Sequence, residues 1–373
     1  MKYGRKRIEK LRCEIRYSYY GTFGSREIHA IITLDNIIRS VEEQFDAIAK
    51  AIDNFSSHRL LKNAILIWKR YYLSDPINQR MFIQNKPKTA TSIVGQPPID
   101  YTKVALWCYW AEGASIGKGS EEGVLEIRKN GVYHYFHTAL HSISENEYNQ
   151  TTDIFGDLIN SFSKRGMTLS KNLIRTWLFV QGIDTHYAGM VKARKTVFDT
   201  EGLTHKTHYV ASTGIEGSYS DSQALVFMDT YSISGLPEKS ISFLHAPENL
   251  SPTHKYGVTF ERGTVVDFDD RSHIFISGTA SIDKDGEIFA PLEIIVQIYR
   301  TLDNILVLLN EAGSSFKDVA HLIVYLRDIA DYPVVKQHLY GSLPDIPKVY
   351  LLASVCRPGW LVEIECMAIR KRL

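Results

Sequence analysis

Net charge is nearly absent from this sequence. The 373 residues carry 43 Lys and Arg against 42 Asp and Glu, a formal balance of +1. Without a basic excess there is no electrostatic footprint for nucleic acid or an acidic surface, and neither is expected as a partner. Long apolar runs are also missing: no stretch approaches the roughly 20 residues of a membrane helix, so no membrane partner is expected. Cysteine is scarce. Cys13, Cys108, Cys356 and Cys366 show neither metal-ligand nor disulfide-framework spacing, which fits reduced thiols in a cytoplasmic protein. The basic start, Lys2, Arg5, Lys6, Arg7, Lys10 and Arg12, is followed by no apolar segment. It reads as a solvated tail and not as a signal peptide. His134, His137 and His141 fall close together, but strand alternation separates His134 from His137, so no metal site is expected. The glycine-rich stretch Gly113–Gly123 reads as a linker: no phosphate-loop Lys-Ser/Thr and helix follow, and no nucleophile elbow is expected. No organic cofactor is implied.

What is present is an ordinary globular composition, 44% hydrophobic and 23% charged, long enough for two or three domains. Internal repetition is the dominant pattern. From about Tyr256 to Leu373, strand-like segments Gly257–Arg262 and His273–Ser277 precede a helix at about Pro291–Glu311. That helix carries Ile295, Tyr299, Leu302, Ile305, Leu306 and Leu309 on one face and is closed by Gly313. A strand at Ala320–Leu326, a shorter helix at about Tyr332–Tyr340 and two closing strands complete a ββαβαββ unit. The middle of the chain repeats it: strands Gly123–Ile127 and Val132–Ala139, helix Glu145–Arg165, strand Leu173–Val180, helix His186–Phe198, then Thr207–Gly217 and Ala224–Tyr231. The first part repeats it less clearly, with strands at Glu14–Tyr19, Glu27–Thr33, Ala64–Trp68 and Val104–Trp110 and a helix at Ile38–Phe55. This predicts an α+β fold of three tandem units, 1–115, 120–236 and 255–373, joined by linkers at Glu112–Gly123 and from Gly235 to Pro252. Pro87-Lys88 echoes Pro347-Lys348, and Lys206 falls at the matching place when Ala211-Ser212 is set on Ala353-Ser354.

The most informative stretch is Ile346–Glu365. It reads as strand, turn at Arg357-Pro358-Gly359, strand. Glu363 and Glu365 fall on one face of an otherwise apolar segment. Buried carboxylates are costly without partners, so these two are either solvated or functional.

Gly278–Ile282, the helix through Leu308–Gly313, Lys317–Asp328 and this closing stretch follow one another as in a YjgF/RidA domain, and the chain resembles that family over about its last hundred residues. The resemblance implies chorismate-mutase-like units whose bare sheet faces close around a common core. Single-domain members do this as trimers with sites between subunits, so three copies in one chain imply a monomeric pseudo-trimer. The family's carboxylate-holding Arg, just after the Pro, is here Lys348, and its water-handling Glu is Glu363. A Lys is a point charge where an Arg grips a carboxylate with a fork.

A second resemblance is to chorismatases. It rests on Arg175–Phe179 with Ile183, Asp184, Tyr187, Arg194 and Phe198; on Ala211–Ile215; on Phe275–Ile282; and on Cys356–Glu365, whose Cys and Glu are spaced as in the branch forming 3-hydroxybenzoate. It implies an enzyme that cleaves the enolpyruvyl ether of chorismate, a small anionic carboxylate, to pyruvate and a hydroxybenzoate without metal or cofactor. Glu363 is the expected catalytic acid. Arg175, Tyr187, Arg194, Thr213, Gly214, Thr279, Ala280, Ser281, Lys348 and Cys356 are the expected substrate-binding residues, with Cys356 as pocket wall. Read from the residues alone, Arg175 also suits the partner of a buried acid, Arg194 a solvated helix face, and Glu365 a structural ion pair. A RidA-type enamine/imine deaminase and a non-catalytic small-molecule-binding protein are the alternatives.

Overall fold

The computed structural model describes residues 1–35, 40–83 and 88–372. Ile38, expected to open the first helix, and Pro87, half of the Pro-Lys echo, lie outside the described residues. The first unit contains β1 (Lys2–Ile8), β2 (Cys13–Tyr20), β3 (Glu27–Leu34), α1 (Val41–Ser56), β4 (Ala64–Leu73), the one-turn α2 (Pro76–Gln79), β5 (Ala90–Gly95) and β6 (Val104–Glu112). The second contains β7 (Ser115–Ile116), β8 (Val124–Lys129), β9 (Val132–His141), α3 (Glu147–Ser163), the one-turn α4 (Leu169–Asn172), β10 (Leu173–Val180), α5 (Ile183–Thr200), β11 (Ala211–Glu216) and β12 (Val226–Ser234). The third contains β13 (Ile241–Leu244), β14 (Gly263–Asp267), β15 (Arg271–Ala280), α6 (Ile294–Glu311), β16 (Val319–Leu326), α7 (Tyr332–Ser342), β17 (Lys348–Leu352) and β18 (Val362–Lys371).

Each unit folds into one six-stranded sheet, and the three strand orders are the same: β1-β2-β3-β6-β4-β5, β7-β8-β9-β12-β10-β11 and β13-β14-β15-β18-β16-β17. Among the described strands, β4/β5, β10/β11 and β16/β17 are the pairs that run parallel within a sheet. The fold is α+β, three YjgF/RidA-like units arranged as a pseudo-trimer within one chain.

Period-two alternation decides which side chains meet which core. In the first unit Ile28, Ala30, Ile32, Leu106 and Cys108 lie under α1 with Phe45, Ile48 and Phe55. Ile31, Ala105 and Trp107 point the other way, into a core shared by all three units. At its centre Trp68 and Trp107 pack on Trp177 of the second unit, ring centroids 5.8 and 6.4 Å apart, and His29 stacks on His321 of the third at 5.0 Å.

Several sequence expectations need correction. Lys2–Ile8 is not a solvated tail but an edge strand paired antiparallel along β2. Its alternating exposed and half-buried residues let cations point to water while the backbone completes a ladder. Both linkers likewise contribute edge strands, β7 and β13. The expected strand Gly257–Arg262 is irregular apart from a bridge at Glu261, and the strand begins at Gly263. In α6 the buried face carries Ile298, Leu302, Ile305, Leu308 and Leu309, while Ile295 and Tyr299 are exposed. The buried face also holds Gln297, Thr301 and Asn304, and polar residues on the core side hide the phase of a helix in sequence. Gly113-Ala-Ser115-Ile-Gly117 carries the Gly-x-Ser-x-Gly spelling, but Ser115 sits in the exposed edge strand β7, not at a strand-to-helix turn. No helix among the described residues is long and apolar enough to cross a membrane.

The shared core is acid-labile by design of its groups. Burial pushes the imidazoles of His29 and His134 down to about 3. A depressed histidine binds its proton in the unfolded chain first, so the contribution of these two rings to stability is full above pH about 6.5 and is lost as pH falls below it. With Glu363→Gln removing the opposing titration of that carboxyl, urea midpoints measured from pH 7.5 to pH 5 should fall steadily; a flat profile would show that these rings are solvated.

Candidate active site

The second and third units meet where β11 approaches β15 and the segment before β14. Ala211 bridges to Glu261 in parallel register, Glu261 N–H donates to Val210 O at 3.0 Å, and Ser212 N–H donates to Ser277 Oγ at 2.9 Å. These bonds fix the walls of a cleft with some 510 Å³ of unfilled space, its mouth included. Helix α5 supplies Tyr187 and Arg194, and β11 supplies Ser212 and Gly214. The third unit supplies Tyr256, Val258, Phe260, Arg262, Gly278, Ala280, Ile282, Cys356, Arg357, Trp360 and Glu363.

Glu363 lies on β18 opposite Ala280 and Tyr325. Gly278 is required beneath it, because a Cβ there would land on the carboxylate. Burial, reinforced by the charge of Glu365 and only partly offset by Arg175 and Arg262, pushes the Glu363 carboxyl up to about 8. It is therefore protonated at neutral pH. Arg194 donates from Nε to Thr259 Oγ1 at 3.1 Å and from Nη1 to Ser212 Oγ at 3.3 Å, while its Nη2 is buried without a partner. Arg262 donates to Ser251 O at 2.8 Å and Arg357 to Tyr256 O at 3.3 Å. Among the described residues none of these three guanidiniums has a carboxylate within ion-pair distance. One cleft thus holds a protonated acid and three cations that no anion neutralises. Tyr187 hydrogen-bonds Cys356, whose thiol burial pushes up to about 12, so it is a neutral wall and no thiolate nucleophile. Gly214 gives Tyr187 room: a Cβ there would stand 3.2 Å from its ring.

Of the residues expected from sequence, Tyr187, Arg194, Gly214, Ala280 and Cys356 gather around Glu363. Arg194 is fully buried, not on a solvated helix face. Arg175 is not in the cleft. It points into the shared core and ion-pairs with Glu365 at 2.7 Å, and Glu365 also accepts from Trp177 Nε1 at 3.0 Å. Thr213 turns the same way, donating to Glu365 and accepting from Gly278 N–H. Alternation is the cause: Ser212 and Gly214 face the cleft, so Thr213 between them cannot. Thr279 donates to Ser277 O and Ser281 to Phe289 O; Ser281 acts at one remove, its carbonyl accepting Trp360 Nε1–H at 2.8 Å. Lys348 lines a different cleft, between the third and first units. The three lysines are not equivalent either. The central strands β10, β16 and β4 end at Val180, Leu326 and Leu73, paired with Glu216, Leu352 and Gly95. Counting back from those pairs sets Lys348 level with Ser212, while Lys206 and Lys88 occupy exposed turns. Sequence reasoning missed Ser212, Tyr256, Arg262 and Arg357. The signal for Arg357 was its place in the turn of the Cys356–Glu365 motif, since turns on rigid scaffolds carry function.

A family model described as Endoribonuclease L-PSP matches residues 265–370. The chain is 30% identical over 97 residues to 3-aminoacrylate deaminase RutC of Acinetobacter baylyi, covering 26% of this chain and 77% of the relative. It is 35% identical over 100 residues to the mitochondrial protein mmf2 of Schizosaccharomyces pombe, covering 26% and 78%. The chain belongs to the YjgF/RidA-like superfamily. Against the mouse 2-iminobutanoate/2-iminopropanoate deaminase, identity is 29% over 142 residues, covering 37% of this chain and 96% of that YjgF/RidA-like relative. The whole arrangement is similar to a crystal structure of a chorismatase, at TM-score 0.64 and 20% identity over 81% of this chain and 92% of the other. The shared fold therefore extends far beyond the last repeat.

Proposed function

We propose that this protein cleaves the enolpyruvyl ether of chorismate to pyruvate and a hydroxybenzoate, with 3-hydroxybenzoate the favoured product. The observation that carries this reading is the Glu363 carboxyl, buried and protonated at neutral pH, in a cleft whose three guanidiniums lack carboxylate partners. An enol ether is opened by a proton delivered to its terminal carbon, and the substrate brings two carboxylates that need cations. Glu363 gives that proton to the methylene carbon. The adjacent carbon becomes an oxocarbenium ion, stabilised by the Glu363 carboxylate left behind. Water adds there and returns a proton to Glu363. The hemiketal then collapses: the bond from its carbon to the ether oxygen breaks, the proton of its new hydroxyl passes to that oxygen, the ring keeps it as a hydroxyl and pyruvate leaves; loss of the ring's other hydroxyl as water gives the aromatic product, so no net water is consumed. Arg194, with Ser212, holds one substrate carboxylate, and Arg262 and Arg357 hold the other. Tyr187, Cys356 and Ala280 enclose the ring. No step calls on a metal or organic cofactor, and the three covalently joined units act as a monomer.

The deaminase names of the curated relatives favour a second reading, imine hydrolysis with Glu363 handling the water. Against it, Lys348, at the family's Arg position in sequence, does not share the cleft of Glu363. Purified protein given chorismate and 2-iminobutanoate in parallel separates the two. Pyruvate release from chorismate above the spontaneous rate is expected; ammonia release from the imine alone would overturn the proposal. Because the protonated form of Glu363 is the acid, kcat/KM for chorismate should be level below pH about 8 and fall tenfold per unit above it. A profile that rises through pH 8 would make Glu363 a base instead.

A further inference from the structure

Where their bare sheet faces meet, the three units enclose a cavity of about 60 Å³. At about 15 Å³ for each water-sized occupant it admits roughly four, which is too little for a ring acid. It shares no lining residue with the Glu363 cleft, and every residue around it except Tyr109 is buried. Trp107, Trp68, Phe136, Tyr231 and Phe275 form a belt of rings through all three units, successive centroids 6.0, 5.7, 5.0 and 5.4 Å apart.

Two N–H donors on this lining have no acceptor among the described residues. Trp68 Nε1 and His29 Nε2 are both buried without a hydrogen-bond partner. The His29 ring is neutral at pH 7. Its Nδ1 accepts from Trp107 Nε1 at 3.4 Å, so its proton is on Nε2. His321, stacked 5.0 Å from His29, has an unpaired Nδ1 as well, a donor in one of its two tautomers. Buried donors left unmet are costly, and an acceptor in the cavity would meet them.

The charges around the cavity do not cancel. Glu365 is matched by Arg175 at 2.7 Å. Arg70, 4.5 Å from the Trp177 ring, is matched by Asp229 at 2.8 Å. Glu27, however, faces two cations, Lys129 at 3.1 Å and Arg271, besides His273 and Tyr109. The second acid on Arg271, Asp270, is 55% exposed, so water screens it. Among the described residues the enclosed core thus keeps one cation more than it has buried carboxylates. A buried charge needs a partner. The occupant that fits carries one negative charge, is no larger than a few waters and accepts two N–H bonds at once. The positive edges of the surrounding rings favour it too.

We infer that the enclosed cavity is a site for one halide-sized monovalent anion, such as chloride, held by Trp68 Nε1–H and His29 Nε2–H against the surplus charge of Lys129 and Arg271. The ion ties together groups from all three units. This inference does not depend on the reaction proposed for the Glu363 cleft.

Bromide is the probe, because it stands in for chloride and quenches indole fluorescence on contact. All five tryptophans of the chain are buried, so surface collisions contribute little. The full chain carrying Trp360→Phe, in which bromide bound at the Glu363 cleft is silent, is titrated in halide-free buffer. Quenching should saturate as for a single site. Adding Trp68→Phe, which removes one donor, should weaken that binding at least tenfold. Adding Lys129→Met should do the same, since it removes the surplus cation and leaves Glu27 paired with Arg271. Quenching that never saturates, or saturation unchanged by both variants, overturns the inference. If a variant does not fold, anomalous diffraction from crystals of the unaltered chain grown in bromide decides: a peak beside Trp68 Nε1 and His29 Nε2 is expected, and no peak in that cavity overturns the inference.

Discussion

Glu363→Gln should lower chorismate turnover by about 100- to 10,000-fold, the range attributable to a positioned general acid. The change is close to isosteric. It keeps a hydrogen-bonding group above Gly278 and removes the transferable proton alone. Because Glu363 is buried and neutral at pH 7, Gln replaces an uncharged group with another, and the fold should not suffer. Stability has its own signature here. A carboxyl raised from 4.5 to about 8 resists ionisation in the folded state, so the wild type loses stability as pH climbs from about 4.5 to 8. The variant should escape that loss and be the more stable protein at pH 8. KM should change little, since the three guanidiniums remain. Steady-state kinetics at pH 7 and urea melts at pH 6 and 8 read both effects. A variant that retains more than a tenth of the wild-type kcat would remove Glu363 from the chemistry.

The largest stability effect is expected at Glu27, far from that cleft in sequence. Its carboxylate is shared by all three units. It lies 3.1 Å from Lys129 Nζ of the second and 2.8 Å from His273 Nε2 of the third. It also pairs with Arg271 of the third unit and accepts from Tyr109 at 3.1 Å. Burial opposes its ionisation, but His273, Lys129 and Arg271 outweigh burial and hold it well below the usual carboxylate range. Glu27→Gln leaves the Lys129 ammonium and the Arg271 guanidinium facing one another in the shared core. Removing one member of a buried ion pair typically costs about 3–5 kcal/mol, so the urea midpoint should drop sharply with no change in secondary structure. A loss under about 1 kcal/mol would mean that the shared core is held by its apolar packing alone.

The fold was readable because period-two and helical patterns recur three times, and the same register binds each sheet. The edge strands β1, β7 and β13 were not readable. An edge strand needs a patterned face on only one side, and the cations of Lys2–Ile8 masked it. The site was half-legible. Glu363, Cys356, Gly214, Tyr187 and Arg194 came from motif resemblance, and all five line one cleft. Arg175 and Thr213 misled because residues one apart on a strand face opposite ways, and a motif does not say which face is the cleft. Arg175 was instead the partner of a buried acid, and Glu365 the member of a structural pair, both readings that the residues alone had left open. Lys348 was placed by counting from a proline; the ladder, which sets it level with Ser212 in the neighbouring cleft, is invisible before the sheets are paired.

The proposed reaction stands most directly on the protonation state of Glu363. Carbon-13 NMR of protein labelled at Glu side-chain carboxyls, with Glu363→Gln used to assign the resonance, follows that one group through a pH titration. A midpoint at about 8, falling when Glu365→Gln removes its neighbour's charge, is the predicted result. A midpoint near 4.5 would mean a carboxylate in the cleft at neutral pH, and the acid-catalysed opening of an enol ether would lose its proton donor.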